Sequence, residues 1–559
     1  MNELIDKTLG QLLDSTALKH PDKDAIVFTD LNFRLIYKEF KKITDEVAKG
    51  LLALHIQKGE HIGIFAVNCP EWVILQFASA KIGAVLVNIN PALKSHELKY
   101  ILEQGDITTL FLTEYFKNSS MIEVLKSLQV NMSISLIGQE HSLISGLPRL
   151  KKIVTIRTDK YPEYIKWNDL QNLAKSVSDE DLIERGNTLS PKDVINIQYT
   201  SGTTGFPKGA QLTHLGILNN AFYCGANMNF TEKDSICIPV PLYHCFGCVL
   251  GTLVSVNYGN KMVFPSDVFD PKKTLEAVSK EKCTAIYGVP TMFIAELSLE
   301  EFDKYDLSSL RTGVIAGAPC PMELMKQLIE KMNLTEITIG YGFTEASPLI
   351  TQTRYYDPID IKVGTVGIPI QHVKVKIIDP ETQKEVPPNT PGELCAYGYN
   401  AMKDYYNMPE RTKEVIDTEG WMHTGDLATK DENEVVKIVG RIKDMIIRGG
   451  ENIYPAEVEE FLMTNPKVEM VQVVGIPDKK FGEQVAASIK LKASEKWAEE
   501  EVKEWCKGKI ASYVLSVKPE TLTSEVINEV KRRILDSLAC TVPLLFANGS
   551  ELTSAYLLS

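Results

Sequence analysis

The 559-residue chain has no Walker A loop, no second Cys-x-x-Cys, no broad basic face and no internal repeat, and each absence removes a class of function. Ten cysteines are scattered without a framework, and the close pair Cys245 and Cys248 finds no matching pair to complete a zinc site. Buried or pocket-lining thiols in a reducing compartment are expected. A formal net charge of −13 leaves no surplus of cations for general nucleic-acid binding. The opening "MNELIDKTLGQLL" puts Glu3 and Asp6 where a secretory or mitochondrial leader would be basic, so an intracellular protein without such a leader is expected. From Ser235 to Asn260 there is no charged residue, a length sufficient to span a bilayer. Pro239, Pro241, His244, Gly247, Gly251 and Asn257 interrupt that run, which predicts a buried helix beside a cleft rather than a membrane span.

What is present is the profile of a globular protein, 44% hydrophobic and 24% charged, long enough for two to four domains or subdomains. Short apolar runs alternate with amphipathic stretches over the first two-thirds. "HIGIFAV" (61–67), "AVLVNIN" (84–90), "TTLFL" (108–112) and "DVINIQY" (193–199) read as buried strands, with "EWVILQFASAKIG" as a helix between the first two. "CTAIYG", "RTGVIAG" and "EITIGYG" repeat the rhythm, separated by "PTMFIAELSLEEF" and "PMELMKQLIEKM". This alternation predicts an α/β fold of mainly parallel sheets covered by helices. After about residue 360 short strands spaced by turn residues predict a β-rich subdomain reaching about 440, and a small α+β unit follows. The expected division is a large domain over 1–442 and a small one over 443–559, with Arg441-Ile442-Lys443-Asp444 at the junction.

The stretch "YTSGTTGFPKG", Tyr199 to Gly209, directly follows a predicted buried strand and precedes a helix expected near Thr213 and His214. Thr200, Ser201, Gly202, Thr203, Thr204 and Gly205 supply hydroxyls and close backbone N–H groups, and Lys208 supplies a cation. Such a connection is suited to wrapping phosphate oxygens. A flexible surface loop is the bland alternative, and a polar concentration of this kind after a buried strand argues against it.

These residues resemble the signature loop of the adenylate-forming superfamily, which includes acyl-CoA synthetases, luciferases and peptide-synthetase adenylation domains. Four further segments appear in the family's order: "AGAP" (316–319), "GYGFTE" (340–345), "TGD" (424–426) and "GRIKDMIIRGGENIYPAEVE" (440–459). The resemblance runs from about Thr8 to Ser512, and "PLYHCFGCVLG" and "VKVGTVGIPI" look most like the medium-chain fatty-acyl-CoA ligase branch. It implies a large N-terminal domain with a β-rich subdomain and a small mobile C-terminal domain. The chemistry implied is attack of a carboxylate on the α-phosphate of ATP, release of pyrophosphate, and capture of the acyl group by the thiol of coenzyme A. Mitochondrial residence is implied by the same branch, although no presequence is evident and a cytoplasmic location fits equally. The partners implied are a small-molecule carboxylic acid, ATP and CoA; oligomeric state is left open.

By the same resemblance the loop at Thr200–Lys208 holds the β- and γ-phosphates, Thr344 touches the α-phosphate, and Glu345 binds Mg²⁺, a hard cation that takes carboxylate oxygen. Gly317, Ala318 and Pro319 form the adenine slot, with Gly340, Tyr341 and Gly342 beside it. Asp426 accepts from the ribose hydroxyls with Arg441 assisting. His244 borders the acyl pocket, and the uncharged run after it forms an apolar wall, equally suited to an aryl acid. Lys443 is the hinge, and Gly449, Gly450 and Glu451 face CoA.

The pattern breaks near the C-terminus. Family members carry a late Pro-x-Thr-x-[Ser/Thr]-Gly-Lys motif whose lysine stabilises the adenylation transition state. "PETLTSEV" (519–526) matches at Pro519, Thr521 and Thr523, but Ser524 stands for the glycine and Glu525 for the lysine. A tail foreign to the family from about residue 514 accounts for these departures together; divergence with loss of the lysine is the alternative, Lys518 and Lys531 being the nearest substitutes. The expected function is ATP-dependent fatty-acid CoA ligation. Alternatives are an aryl-CoA ligase or luciferase-like adenylate-former, or a pseudoenzyme without the adenylation lysine.

Overall fold

A computed structural model of the chain describes residues 3–128, 147, 149–200, 207–448, 451–478, 482–492, 495–498, 501–502, 505 and 555–558. Two compact units are present. One comprises Met1–Lys376, Cys395–His423 and Asp431–Lys437; the other comprises Ile377–Leu394, Thr424–Lys430 and Ile438–Ser559.

The first unit carries two large sheets. In the seven-stranded sheet, Val194–Thr200, Val85–Ile89, His61–Phe65, Thr109–Thr113, Lys152–Ile156 and Ile165–Lys166 run parallel, and Lys208–Thr213 closes one edge antiparallel to Val194–Thr200. The nine-stranded sheet has Thr338–Gly342, Thr312–Ala316, Ala285–Gly288, Ser235–Cys237, Lys261–Phe264 and Asp24–Phe28 in parallel order, with antiparallel strands at both edges. Most of these parallel connections cross over through a helix, and this is why mostly apolar strands alternate with helices along the sequence. Pro70–Ile82 starts with proline at its first turn and ends at Gly83 in the left-handed region; everything after Glu71 is buried, as a helix enclosed on all sides requires. Met322–Met332 is instead amphipathic, burying Leu324, Met325, Leu328 and Met332. These four join Val263, Ile286, Phe293 and Ile315 in one apolar core, while Val87, Ile101, Leu110 and Ile153 belong to a second.

One expectation is extended and another corrected. The helix after Tyr199–Gly209 begins at His214, where it was expected, and Thr213 Oγ1 accepts from Gly216 N at 3.1 Å, but Lys208–Thr213 before it is a strand paired antiparallel with Val194–Thr200. The uncharged run Ser235–Asn260 is not one helix. It begins as the strand Ser235–Cys237, turns through Pro239 and Pro241, and continues as a π-helical turn, Phe246–Gly251, and an α-helix, Thr252–Tyr258. The prolines that argue against a membrane span also stop the helix from starting earlier. No helix among the described residues is long and apolar enough to cross a membrane.

A four-stranded sheet follows, in the order Val373–Ile378, Gly392–Gly398, Met422–Lys430 and Val436–Arg441. In the second unit Val468–Asp478 and Gly482–Leu491 pair antiparallel, and the helix Pro455–Met463 follows the short hairpin Ile446–Arg448 and Glu451–Ile453. Ile446, Leu462, Val473, Ile489 and Trp497 form its core. Ala555–Leu558 pairs antiparallel with Val485–Ser488.

Candidate active site

Several of the candidate residues lie at the carboxyl ends of parallel strands, where side chains and backbone point into the crevice above a sheet. Gly317, Ala318 and Pro319 directly follow Thr312–Ala316 and are exposed. Gly317 has φ +83°, a left-handed turn that a glycine makes without strain. In the neighbouring strand Gly340, Tyr341 and Gly342 occupy the same end, Gly340 paired with Ala316. A Cβ at Gly342 would lie 2.0 Å from the carbonyl oxygen of Pro348, so only glycine fits there. The 3₁₀ turn Thr344–Ala346 follows, and Thr344 and Glu345 are both buried.

Glu345 is the centre of a polar corner. Its Oε1 accepts from Thr200 Oγ1 at 3.1 Å and from the Tyr405 hydroxyl at 2.6 Å, and no described residue donates to its Oε2. Thr200 comes from the end of Val194–Thr200, so this bond links the seven-stranded sheet to the loop after a strand of the nine-stranded one. The Lys208 ammonium sits 4.6 Å from the centre of the Tyr405 ring, and Lys208 forms no ion pair with a described residue. Tyr405 is brought there by its backbone. Residues 402–406 lie along Lys208–Thr213, with Lys403 N donating to Gln211 O at 2.8 Å and Tyr406 N to Gly209 O at 2.8 Å, while Met402 N donates to Glu345 O at 2.7 Å. Burial, then the negative charge of Glu345, pushes the Tyr405 phenol up, so it remains a donor.

A second corner lies at His244. Its Nδ1 accepts from Phe246 N at 3.2 Å and is 3.5 Å from Cys245 Sγ, which is in turn 3.9 Å from Thr344 Oγ1. A backbone N–H can only donate, so a neutral His244 ring carries its proton on Nε2. The neighbouring Cys245 raises the His244 pKa, outweighing the burial that lowers it. Behind these groups the π-turn frees the Cys248 carbonyl, which takes Gln76 Nε2 at 2.7 Å and Thr252 Oγ1 at 2.5 Å; Asn88 and Gln198 each reach Cys248 Sγ at 3.4 Å. Burial pushes that thiol up, so it is a neutral, packed group. Eight described cysteines are all buried and unbridged.

In the second unit Asp426 is buried and its Oδ1 pairs with Arg441 Nε at 3.0 Å. Lys443 is exposed in the short turn Ile442–Asp444, and Glu451 opens the strand Glu451–Ile453. Ser201, Gly202, Thr203, Thr204, Gly205, Gly449, Gly450, Lys518, Ser524, Glu525 and Lys531 lie outside the described residues. The structure thus brings Thr200, Lys208, Thr344, Glu345 and His244 together with two groups that sequence reasoning passed over, Tyr405 and Cys245. Cys245 stood beside a chosen histidine; Tyr405, sixty residues beyond Glu345, carries no local signal.

A Glu345 oxygen to which no described residue donates, a lysine paired with no described carboxylate and an exposed turn at Gly317 make a donor set that fits a nucleoside triphosphate and a divalent cation. Comparison with known proteins agrees. The family model for AMP-binding enzymes matches residues 13–406, and that for the AMP-binding enzyme C-terminal domain matches 457–540, a span that includes the break at Ser524 and Glu525. YngI of Bacillus subtilis (strain 168), which carries an acyl-CoA synthetase name, is 49% identical over 92% of this chain and 93% of its own. The mitochondrial medium-chain acyl-CoA ligase ACSF2 of Danio rerio is 41% identical over 91% of this chain and 84% of its own. Among solved structures, the anthranilate CoA ligase AuaEII in complex with anthranoyl-AMP superposes with a TM-score of 0.76 at 25% identity, covering 93% of this chain and 92% of that one. The Mycobacterium tuberculosis fatty acyl CoA synthetase gives 0.69 at 26% identity, covering 90% and 91%. With its nucleotide-binding motifs in order and relatives matched over nearly their whole length, the chain belongs to the AMP-binding, adenylate-forming enzymes and is an AMP-forming acid–thiol ligase that joins carboxylic acids to coenzyme A.

Proposed function

We propose that the acid is a saturated fatty acid of medium length. The observation that carries this reading is the wall after His244: Phe246, Val249, Leu250, Leu253, Val254 and Val256 are buried in a run without charge. The ACSF2 relatives named for medium-chain acids support it. Such a wall gains about 0.8 kcal/mol for each methylene it covers, which a short polar acid forgoes.

The carboxylate attacks the α-phosphorus of ATP; the bond from that phosphorus to the bridging oxygen breaks, and pyrophosphate leaves with the electron pair. The CoA thiol, losing its proton, then attacks the acyl carbon and AMP departs. In this reading Lys208 and the hydroxyls and N–H groups of 200–205 hold the β- and γ-phosphates, and Thr344 contacts the α-phosphate. Gly317, Ala318 and Pro319 receive adenine beside Gly340, Tyr341 and Gly342, while Asp426 and Arg441 take the ribose hydroxyls. His244 donates from Nε2 to the acid carboxylate, orienting it without protonating it. Glu345 Oε2 is the protein ligand offered to Mg²⁺, which when bound neutralises charge on the phosphates. Lys443 is the hinge, and Gly449, Gly450 and Glu451 meet CoA. Mitochondrial residence is favoured by the ACSF2 relatives, and organelle fractionation of the natural host tests it.

Acyl-CoA formation across acetate, butyrate, octanoate, palmitate, benzoate and anthranilate tests the substrate reading. Octanoate should lead; preference for acetate overturns it, and preference for an aromatic acid moves the chain to the aryl-CoA ligases. Under the alternative to a foreign tail, divergence of the motif, Glu525 stands at the adenylation-lysine position. Removing one electrostatic donor from a transition state costs about 10²–10³ in rate. Glu525→Lys should therefore raise single-turnover formation of octanoyl-adenylate by a comparable factor and leave thioester formation from supplied octanoyl-adenylate unchanged. No change in the first half-reaction would overturn that assignment.

A further inference from the structure

Lys208 and Glu345 carry opposite charges in one recess, and both reach the same tyrosine. Opposite charges in a recess attract more strongly than in bulk water, and an ammonium and a carboxylate left to themselves form an ion pair. Here they do not: Lys208 lies on the face of the Tyr405 ring at 4.6 Å, and the Tyr405 hydroxyl bonds Glu345 Oε1 at 2.6 Å. Tyr405 is 3% exposed, and its backbone N is fixed to Thr412 Oγ1 at 2.9 Å, so the ring is held in place from behind.

We propose that Tyr405 is a positioning residue that keeps Lys208 and Glu345 apart, its ring face holding the ammonium ready for a phosphate and its hydroxyl turning one carboxylate oxygen away so that the other meets a divalent cation. The inference rests on the nucleotide-site reading above and extends it to a residue which that reading does not use. A ring face attracts a cation but does not neutralise it, so the lysine remains able to exchange that contact for phosphate oxygen. The hydroxyl and Thr200 both occupy Oε1, and a carboxylate pinned through one oxygen presents the other in a fixed direction.

The two halves of the role separate by substitution. Tyr405→Phe keeps the ring and removes the hydroxyl; Tyr405→Leu removes both. Calorimetric ATP titrations are run in EDTA and in Mg²⁺, and Mn²⁺ binding to the protein–ATP complex is followed by electron paramagnetic resonance. In Tyr405→Phe, ATP affinity in EDTA should stay within about twofold of the parent, while Mn²⁺ affinity and the Mg²⁺-dependent gain in ATP affinity fall about tenfold or more, the scale of a lost hydrogen bond to a charged group. In Tyr405→Leu both should fall, and adding Lys208→Met should restore part of the Mn²⁺ affinity by freeing Glu345 from the lysine. Equal Mn²⁺ affinity in Tyr405→Phe and parent would overturn the inference, as would a loss in EDTA as large as the loss in Mg²⁺, which marks a packing role. If the parent binds no ATP at millimolar concentration, the nucleotide-site reading falls and the inference with it. The Tyr405→Phe arm decides the question even if Tyr405→Leu fails to fold.

Discussion

Around Glu345 one carboxylate oxygen takes two hydroxyl donors, the nearby lysine rests on an aromatic face, and every polar group has a direction. The apolar side is built otherwise. From Phe246, whose ring lies 5.7 Å from that of Tyr287, to the helix Pro290–Leu297, apolar side chains dominate, and the carboxyl of Glu296 is buried with no hydrogen-bond partner for its Oε2 among the described residues. Both glutamates are buried, at 7% and 1% exposure. Burial alone drives the Glu296 carboxyl well above the carboxylate range and keeps it neutral. Glu345 instead has two hydroxyl donors, Thr200 and Tyr405, which is what the proposed cation ligand needs. The difference shows that position in the interior does not decide what a buried acid does; its partners do.

The largest expected effect breaks the polar corner. Glu345→Ala should lower pyrophosphate release with saturating octanoate by about 10²–10³, the scale of one lost electrostatic group at a developing charge. A loss under tenfold would show that the corner is not at the reacting phosphates. On the apolar side, kcat/KM for octanoate should exceed that for butyrate by about 10², following ~0.8 kcal/mol for each of the four extra methylenes. A flat profile with chain length would mean the wall does not receive the acyl chain.

The smallest effect sharpens the contrast between the two acids. The Glu296 pKa is raised in the folded state, so the unfolded chain gives up this proton above about pH 4.5 while the folded one keeps it. The contribution of this group to stability is therefore complete below that pH and declines as pH rises towards the folded value. Glu296→Gln should flatten the decline, a difference in slope on the order of 1 kcal/mol per pH unit, read from urea midpoints between pH 5 and 8. Parallel slopes would show that Glu296 ionises freely.

Much of the fold was legible because its signals are local. His61–Phe65, Val85–Ile89 and Thr109–Thr113 are mostly apolar without alternation and are buried at every position, as strands covered on both faces are. The hairpin strand Lys208–Thr213 was missed because "KGAQLT" alternates too weakly to stand out from a glycine-rich loop. The π-turn Phe246–Gly251 was missed because an uncharged run has no period to distinguish one helix type from another. At the site, Thr344 and Glu345 were picked out by the resemblance of the short motif "GYGFTE" and Lys208 by the glycine- and hydroxyl-rich stretch that holds it, and the structure links Glu345 to Thr200 and, through Tyr405, to Lys208. Tyr405 was not picked out, since its role comes from backbone pairing of residues 402–406 with Lys208–Thr213, a contact across nearly two hundred residues that no local spacing encodes.

The route through an acyl-adenylate is tested most directly by oxygen transfer. Octanoate carrying ¹⁸O in both carboxylate positions is incubated with the protein, ATP, Mg²⁺ and CoA, and the products are weighed by mass spectrometry. Attack of the carboxylate on the α-phosphorus predicts one ¹⁸O in AMP, one retained in octanoyl-CoA and none in pyrophosphate. Label appearing in inorganic phosphate together with ADP, or AMP without label, would contradict it.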